Sequence, residues 1–274
     1  MRRHLLGALA LAGLALTATV PDASATETWT QASRQTYYLT TAFQRSQGIA
    51  TDGTSWYFSW QYGLSRVSLD QQSVQANNAA AVPAALAAQG DNHIGDIDYY
   101  NGKLYVPIED GSAYQHPYIA LYDAATLGYT GTAYPLPLSV QPDGAPWVAV
   151  DAARGYVHSS AYNPTPALNV YSLTDLHLVR TVPLSTVIGS IQGAKIYQGS
   201  LYASSNNAAK SIYRIDPDSG QVTDVFDRAS SLPSGSETEG LAFLPTSDGA
   251  VMHALDAVSG RLATYLYNYR VTTS

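Results

Sequence analysis

The chain has 274 residues, a formal net charge of −7 and a charged fraction of only 13%. This acidic balance argues against nucleic-acid binding, which normally needs a basic surface. The chain contains no cysteine, so it must be stable without disulfides. Its 21 tyrosines outnumber its 4 phenylalanines, a composition that suits sheet surfaces and contacts with sugars or peptides.

The N-terminus predicts a secretory signal peptide over residues 1–25. Met1 to His4 carry positive charge, Leu5 to Val20 form an apolar run too short to span a membrane, and Ala23-Ser24-Ala25 fits a cleavage site. An uncleaved N-terminal anchor is the alternative. We expect a mature chain that begins near Thr26, is secreted to the extracellular space and forms a single domain over residues 26–274.

A hairpin motif recurs along the chain. Ile94–Tyr100 and Lys103–Ile108 read as strands joined by Asn101–Gly102, the dipeptide most typical of a tight hairpin turn. The motif returns over residues 191–205, with Gln198–Gly199 at the turn, and more loosely over residues 47–57.

Five such units account for the domain, at residues 47–75, 92–138, 145–184, 190–227 and 237–270. Gly48 and Gly95 are 47 residues apart, as are Gly193 and Gly240. A repeat of this length with four short strands is typical of a β-propeller blade. The sequence therefore predicts an all-β, five-bladed β-propeller, with a β-sandwich as the alternative. We expect a strand at residues 36–40 to close the ring, and a loop at residues 76–89, with one helical turn as the alternative there.

In a propeller the first strand of each blade lines the central channel, where glycine avoids crowding. Polar residues adjoin these glycines and should converge on one mouth of the channel. They are Gln47, His93, Asp96, Gln192 and Glu239. Trp147 is at the corresponding point of the third blade. Such a pocket could bind a polar ligand or a cation with oxygen ligands, for which Ca²⁺ is the candidate cofactor. Alternatively, polar side chains and water fill the channel and tie the blades together.

Asp96 and Asp98 lie two residues apart and should share one face of a strand. Such a carboxylate pair could perform acid–base chemistry or bind Ca²⁺. It could equally accept hydrogen bonds from Lys195 or from a tyrosine hydroxyl.

The loops after each second strand should emerge at the same mouth. They carry aromatic, amide and carboxylate groups, which suit a sugar ring or a peptide. The candidate ligand-binding residues are Gln47, Trp60, Tyr62, Glu109, Trp147, Gln192 and Asn206.

Residues 42–48 (Ala-Phe-Gln-Arg-Ser-Gln-Gly) and 60–65 (Trp-Gln-Tyr-Gly-Leu-Ser) resemble the glutaminyl cyclotransferase family of plants and bacteria. The resemblance implies a secreted five-bladed propeller. Where that family has an acidic residue before Tyr-Gly, this chain has Phe58-Ser59. Where the family has Gly-Glu-Gly in the second blade, this chain has Gly95-Asp96-Ile97. The acidic catalytic positions of the family are therefore not matched.

Common catalytic motifs are absent, including G-x-S-x-G, the Walker loop and H-E-x-x-H. The first hypothesis is a monomeric module that binds an extracellular glycan or peptide, without nucleic acid and without membrane insertion once the signal is cleaved. The second is an enzyme, either a cyclotransferase or a hydrolase or lyase, in which Asp96, Glu239 and His93 act as acid, base or metal ligands. An interaction scaffold with a filled channel is the third.

Overall fold

A computed structural model describes residues 27–274, apart from the side chain of Ser259. The chain forms a five-bladed β-propeller, as the repeat predicts. The expected signal peptide lies outside the described residues. Within the described range, every helix is too short or too polar to cross a membrane.

Each blade is an antiparallel sheet in which the strands follow one another from the central channel to the outside. The first blade holds β2 (Gly48–Thr51), β3 (Ser55–Trp60), β4 (Gly63–Ser68) and β5 (Val74–Asn78). The second holds β6 (His93–Ile94), β7 (Asp98–Tyr100), β8 (Lys103–Glu109), β9 (Tyr118–Asp123) and β10 (Tyr129–Pro135). The third holds β11 (Ala149–Asp151), β12 (Tyr156–Ser159), β13 (Thr165–Ser172) and β14 (Leu178–Ile188). The fourth holds β15 (Ile191–Tyr197), β16 (Ser200–Ser205), β17 (Ile212–Ile215) and β18 (Val222–Phe226).

The fifth blade joins the two ends of the described chain. It contains β19 (Ser236–Phe243), β20 (Met252–Val258), β21 (Ala263–Thr273) and, at its outer edge, β1 (Glu27–Tyr38). β1 pairs antiparallel with β21 along nearly its whole length. The N-terminal strand thus closes the ring, and it begins well before the predicted position at residues 36–40.

Within residues 27–274, four short helical segments lie outside the blades. They are α1 (Leu39–Phe43), α2 (Ala84–Ala87) and the 3-10 turns Ala229–Ser231 and Ser259–Arg261. α2 replaces part of the loop predicted at residues 76–89. Pro83 precedes its first residue with extended backbone, and the alanines that follow have the highest helix propensity.

The predicted hairpin turns form as expected. Asn101 and Gly102 have φ of 48° and 78°, and Gln198 and Gly199 have φ of 48° and 81°. These left-handed conformations at both central residues are what a two-residue turn between twisted strands requires.

The hydrophobic core is divided into five clusters, one between each pair of neighbouring blades. Tyr57 of the first blade packs with Leu104 of the second, and Trp147 of the third packs with Leu201 of the fourth. Because each blade is covered on both faces, its inner strands are held firmly around the channel.

Candidate functional site

Asp96 closes the central channel. The inner strand of the second blade is interrupted between β6 and β7, and there Asp96 forms an isolated parallel bridge with Trp147 of the third blade. The interruption brings the Asp96 side chain onto the axis of the ring, where it is fully buried.

Every blade contacts this one residue. Asp96 Oδ1 accepts the backbone N–H of Ile49 at 2.9 Å, and Oδ2 accepts the Lys195 ammonium at 2.6 Å and the backbone N–H of Ala194 at 3.3 Å. The Asp96 backbone hydrogen-bonds to the third blade, and Gly240 of the fifth blade packs against its carboxylate. Burial raises the pKa of Asp96 to about 7, although Lys195 opposes the shift. Asp96 is therefore a structural centre whose oxygens already have partners.

The four corresponding glycines crowd around the axis. A Cβ added at Gly240 would lie 2.6 Å from Asp96 Oδ1 and 2.7 Å from the Cα of Gly48, and one at Gly193 would lie 2.7 Å from the Cα of Gly240. A Cβ at Gly95 would lie 2.0 Å from the Pro146 carbonyl oxygen. The predicted reason for glycine at these positions, close approach of the inner strands, is thus correct.

A polar cavity of about 200 Å³ opens at one mouth of the channel. Its walls come from the starts of inner strands, from loops after second strands and from the connection between blades two and three. The lining residues are Gln47, His93, Glu109, Gly111, Tyr114, Asp143, Pro146, Tyr162, Gln192, Glu237 and Arg261. Four of the predicted site residues, namely Gln47, His93, Glu109 and Gln192, are brought together here.

His93 is fixed between two of these predicted residues. Its Nδ1 lies 3.1 Å from Glu109 Oε1, and its Nε2 lies 3.0 Å from Gln47 Oε1. The second oxygen of Glu109 accepts the backbone N–H of Ala145. This chain of contacts fixes the imidazole across the boundary between the first and second blades.

Arg261 is engaged by groups within the fifth blade and its neighbour. Its Nη1 donates to the carbonyl and the hydroxyl of Ser46, both at 2.9 Å, and its Nη2 lies 3.8 Å from Glu237 and 3.7 Å from Glu239. Gln192 donates to Glu237 at 3.0 Å. Arg261, the one guanidinium that the described residues place in the cavity wall, is therefore already balanced by carboxylates.

Glu239 lies behind the cavity and does not line it. Its Oε1 is buried without a hydrogen-bond partner among residues 27–274. Burial raises the pKa of Glu239 well above its usual range, and the nearby Glu237 adds to the shift, while Arg261 opposes it. Of the proposed catalytic residues Asp96, Glu239 and His93, only His93 faces the cavity.

Two tyrosines and Asp143 complete the wall. Asp143 accepts the backbone N–H groups of Tyr162 and Asn163 at 2.7 and 2.6 Å, which fixes the loop after β12. Burial raises the pKa of the Tyr114 phenol, and the carboxylates of Glu109 and Asp143 raise it further. The cavity thus combines three carboxylates with two aromatic rings.

Four predicted ligand-binding residues do not line the cavity. Trp60 is buried against Gly63 in its own hairpin, and Trp147 is buried in the core between blades three and four, so neither indole reaches the rim. Tyr62 is 44% exposed but is not among the residues that line the cavity. Asn206 uses its side-chain oxygen to accept the backbone N–H of Thr238 at 3.0 Å, which ties blade four to blade five.

Asp98 and Lys195 belong to the opposite mouth of the channel. Both line a second cavity of about 160 Å³ there. Asp98 accepts the backbone N–H of Val150 at 2.8 Å, and burial raises its pKa while Lys195 lowers it. The predicted contact between Lys195 and the Asp96–Asp98 pair is confirmed at Asp96.

Several residues of the cavity wall were not predicted from the sequence. A register shift in β19 between Thr238 and Leu241 brings Glu237, rather than Glu239, to the cavity. The position of Asp143 depends on how the connection between blades two and three folds over the mouth, which a strand repeat does not encode. Tyr114, Tyr162 and Arg261 lie on loops after second strands, so the rule that these loops share one mouth could have found them.

Comparison with known proteins supports the fold alone. No protein-family model and no curated protein matches the sequence. A solved structural genomics protein of unknown function from Bacteroides thetaiotaomicron is similar with a TM-score of 0.52 and 12% identity, over 89% of this chain and 76% of that chain.

Two further solved structures are more distantly similar. A chain of a nidogen/laminin complex gives a TM-score of 0.46 and 15% identity over 71% of this chain and 66% of that chain. The Neurospora crassa Pan2 WD40 domain gives a TM-score of 0.39 and 10% identity over 81% of this chain and 62% of that chain. This chain spans less than two thirds of each of these two. None of these three similar proteins is named as a glutaminyl cyclotransferase.

Proposed function

We propose that the protein is a secreted binding module whose axial cavity takes a positively charged group of an extracellular ligand. The observation that carries this proposal is the composition of the wall, in which Glu109, Asp143 and Glu237 adjoin Tyr114 and Tyr162. Carboxylates attract an ammonium group, and aromatic faces add a cation–π contribution.

The volume of the cavity limits the size of the ligand that it can bind. Its volume of about 200 Å³ lies below the roughly 300–1,000 Å³ of typical small-molecule sites. One side chain or one sugar ring therefore fits better than an extended oligomer. Of the two ligand classes expected from the sequence, a peptide that presents a lysine or an α-amino group matches the charge. A neutral glycan matches it less well.

Calorimetric titration with small probes tests the proposal. We expect the tripeptide Gly-Lys-Gly to bind, and its norleucine analogue and N-acetylglucosamine to bind weakly or not at all. Glu237→Gln should weaken binding of the lysine peptide, since Glu237 lines the cavity and is 42% exposed in its side chain, so that its loss should not disturb the fold. Asp175→Asn, at an exposed aspartate far from the channel, serves as the control. Tight binding of the neutral sugar, without binding of the lysine peptide, would instead support the glycan hypothesis.

A second proposed function is an enzyme, including a glutaminyl cyclotransferase-like activity. The contact between His93 and Glu109 at the cavity wall supports it, because an oriented imidazole is a common general base. Incubation with a glutaminyl peptide, followed by mass spectrometry, tests this alternative. Loss of ammonia that depends on His93 would support it, and an unchanged peptide would exclude that reaction.

A further inference from the structure

A second cluster of polar side chains lies beside the cavity, within the second blade. Asp91 precedes β6, Asp110 follows β8, and His116 lies in the loop that leads to β9. One ligand atom from each of the three lies within 4.8 Å of the other two, and His116 Nδ1 is 3.1 Å from Asp110 Oδ2. This Asp91 cluster (Asp91, Asp110 and His116) shares no residue with the cavity wall.

Asp91 is the unexplained member of the cluster. It is 3% exposed, and neither of its carboxylate oxygens has a hydrogen-bond partner among residues 27–274. A buried carboxylate without a partner is unfavourable by several kcal/mol unless a proton or a cation compensates its charge.

Asp110 is held in position by the loop that follows it. Its Oδ1 accepts the backbone N–H of Ala113 at 3.0 Å, and its Oδ2 accepts that of Gln115 at 2.9 Å. Oriented outer contacts of this kind are typical of carboxylates that ligate metals. The cluster therefore contains one buried carboxylate in need of a cation and one already oriented.

We propose that Asp91, Asp110 and one imidazole nitrogen of His116 form a site for a divalent transition-metal ion, with Zn²⁺ as the best match. Two carboxylates neutralise a dication. The imidazole ligand favours Zn²⁺ over Ca²⁺, which prefers oxygen ligands. Water would complete the coordination. This site differs from the Ca²⁺ site considered for the channel, and it does not depend on the proposed ligand of the cavity.

The site would control the loop that forms one side of the cavity. Residues 110–117 connect β8 to β9 and carry Gly111 and Tyr114, which both line the cavity. Tyr114 has φ of 52°, an unfavourable conformation for a bulky residue, and its N–H bonds to the Asp110 carbonyl at 3.2 Å. A metal that bridges Asp91 to Asp110 and His116 would fasten both ends of this loop to the start of β6.

Calorimetric titration of the purified, chelator-treated protein with Zn²⁺, Mn²⁺ and Ca²⁺ tests the proposal. We expect one Zn²⁺ per chain, weaker binding of Mn²⁺ and little binding of Ca²⁺. Asp91→Asn should lower the Zn²⁺ affinity at least about 100-fold, because even loss of an outer-shell partner costs about 10–100-fold. His116→Ala should also weaken Zn²⁺ binding. The circular dichroism spectrum and melting temperature of each metal-free variant establish that it folds.

The exposed pair Asp175 and His177 provides a matched control. His177 Nδ1 lies 2.6 Å from Asp175 Oδ1, but no buried carboxylate among residues 27–274 joins this pair to form a third ligand. Asp175→Asn should leave Zn²⁺ binding unchanged. Hydrogen exchange should slow over residues 110–117 when Zn²⁺ is added to the wild type, and not when it is added to Asp91→Asn. Zn²⁺ binding that survives Asp91→Asn, or the absence of stoichiometric Zn²⁺ binding, would overturn the proposal.

Discussion

Replacing Lys195 with methionine tests the role of the axial carboxylate. Lys195 Nζ lies 2.6 Å from Asp96 Oδ2, and the two side chains are 6% and 0% exposed. Methionine retains much of the apolar volume but leaves the Asp96 carboxylate without its counter-charge. Breaking a buried ion pair in this way typically costs about 3–5 kcal/mol. For a domain of this size, the melting temperature should fall by roughly 6–20 °C.

The loss should depend on pH in a definite direction. Burial raises the pKa of Asp96 to about 7, and removal of Lys195, which lowers that pKa, should raise it further. At pH 5.5 the carboxyl group is then neutral in both proteins and needs no counter-charge, so the variant should lose only about 1–2 kcal/mol from its missing hydrogen bonds. At pH 8.5 the wild type is ionised and the full loss should appear.

Urea denaturation at the two pH values measures both quantities. Lys103→Met, at an exposed lysine in β8, is the matched control and should change the free energy of unfolding by less than about 0.5 kcal/mol. A loss below about 1 kcal/mol at pH 8.5, or an equal loss at both pH values, would refute the view that a buried ion pair holds the blades together.

Three further predictions concern the fold, the buried acid and the N-terminus. Gly240→Ala should destabilise the protein by more than about 2 kcal/mol in urea denaturation, because its Cβ would meet atoms at 2.6–2.8 Å; Gly189→Ala, with its nearest neighbour at 3.4 Å, should be nearly neutral. The raised pKa of Glu239 should contribute a loss of wild-type stability as the pH rises from about 4.5, and Glu239→Gln should lack this one contribution, so the melting temperature of the variant relative to the wild type should increase with pH. If the protein is secreted as expected, mass spectrometry of the material from the culture medium should find an N-terminus near Thr26.

Each of these predictions has a clear contrary result. Equal stability of the two alanine variants would mean that the inner strands are not crowded. A constant difference between Glu239→Gln and the wild type across the pH range would mean that this carboxyl group does not titrate on folding. Retention of residues 1–25 in protein from the culture medium would contradict the expected cleavage site.

The sequence repeat predicted most of the architecture. Asn101–Gly102 and Gln198–Gly199 predicted the turns because few dipeptides tolerate two consecutive positive φ angles. The spacing of Gly48, Gly95 and their counterparts then predicted the blades. These signals are local or periodic, so they can be read without knowing the tertiary contacts.

The same signals predicted only part of the candidate site. Gln47, His93 and Gln192 follow the repeat and reach the cavity, whereas the shift in β19 exchanges Glu239 for Glu237. Trp60 was expected at the rim because it follows a second strand, but its indole is more favourably buried over Gly63. Irregular strands and the burial of large aromatic rings depend on three-dimensional packing, and sequence periodicity does not reveal them.

The proposed function depends on recognition of a positive charge by the axial cavity. A double-mutant cycle tests it most directly, with the dissociation constants of Gly-Lys-Gly and its norleucine analogue measured for the wild type and for Glu237→Gln. We predict that the preference for lysine falls about 5-fold in the variant, which corresponds to a coupling of about 1 kcal/mol for a partly exposed charge pair. An equal preference in both proteins, or no preference for lysine in the wild type, would contradict the claim.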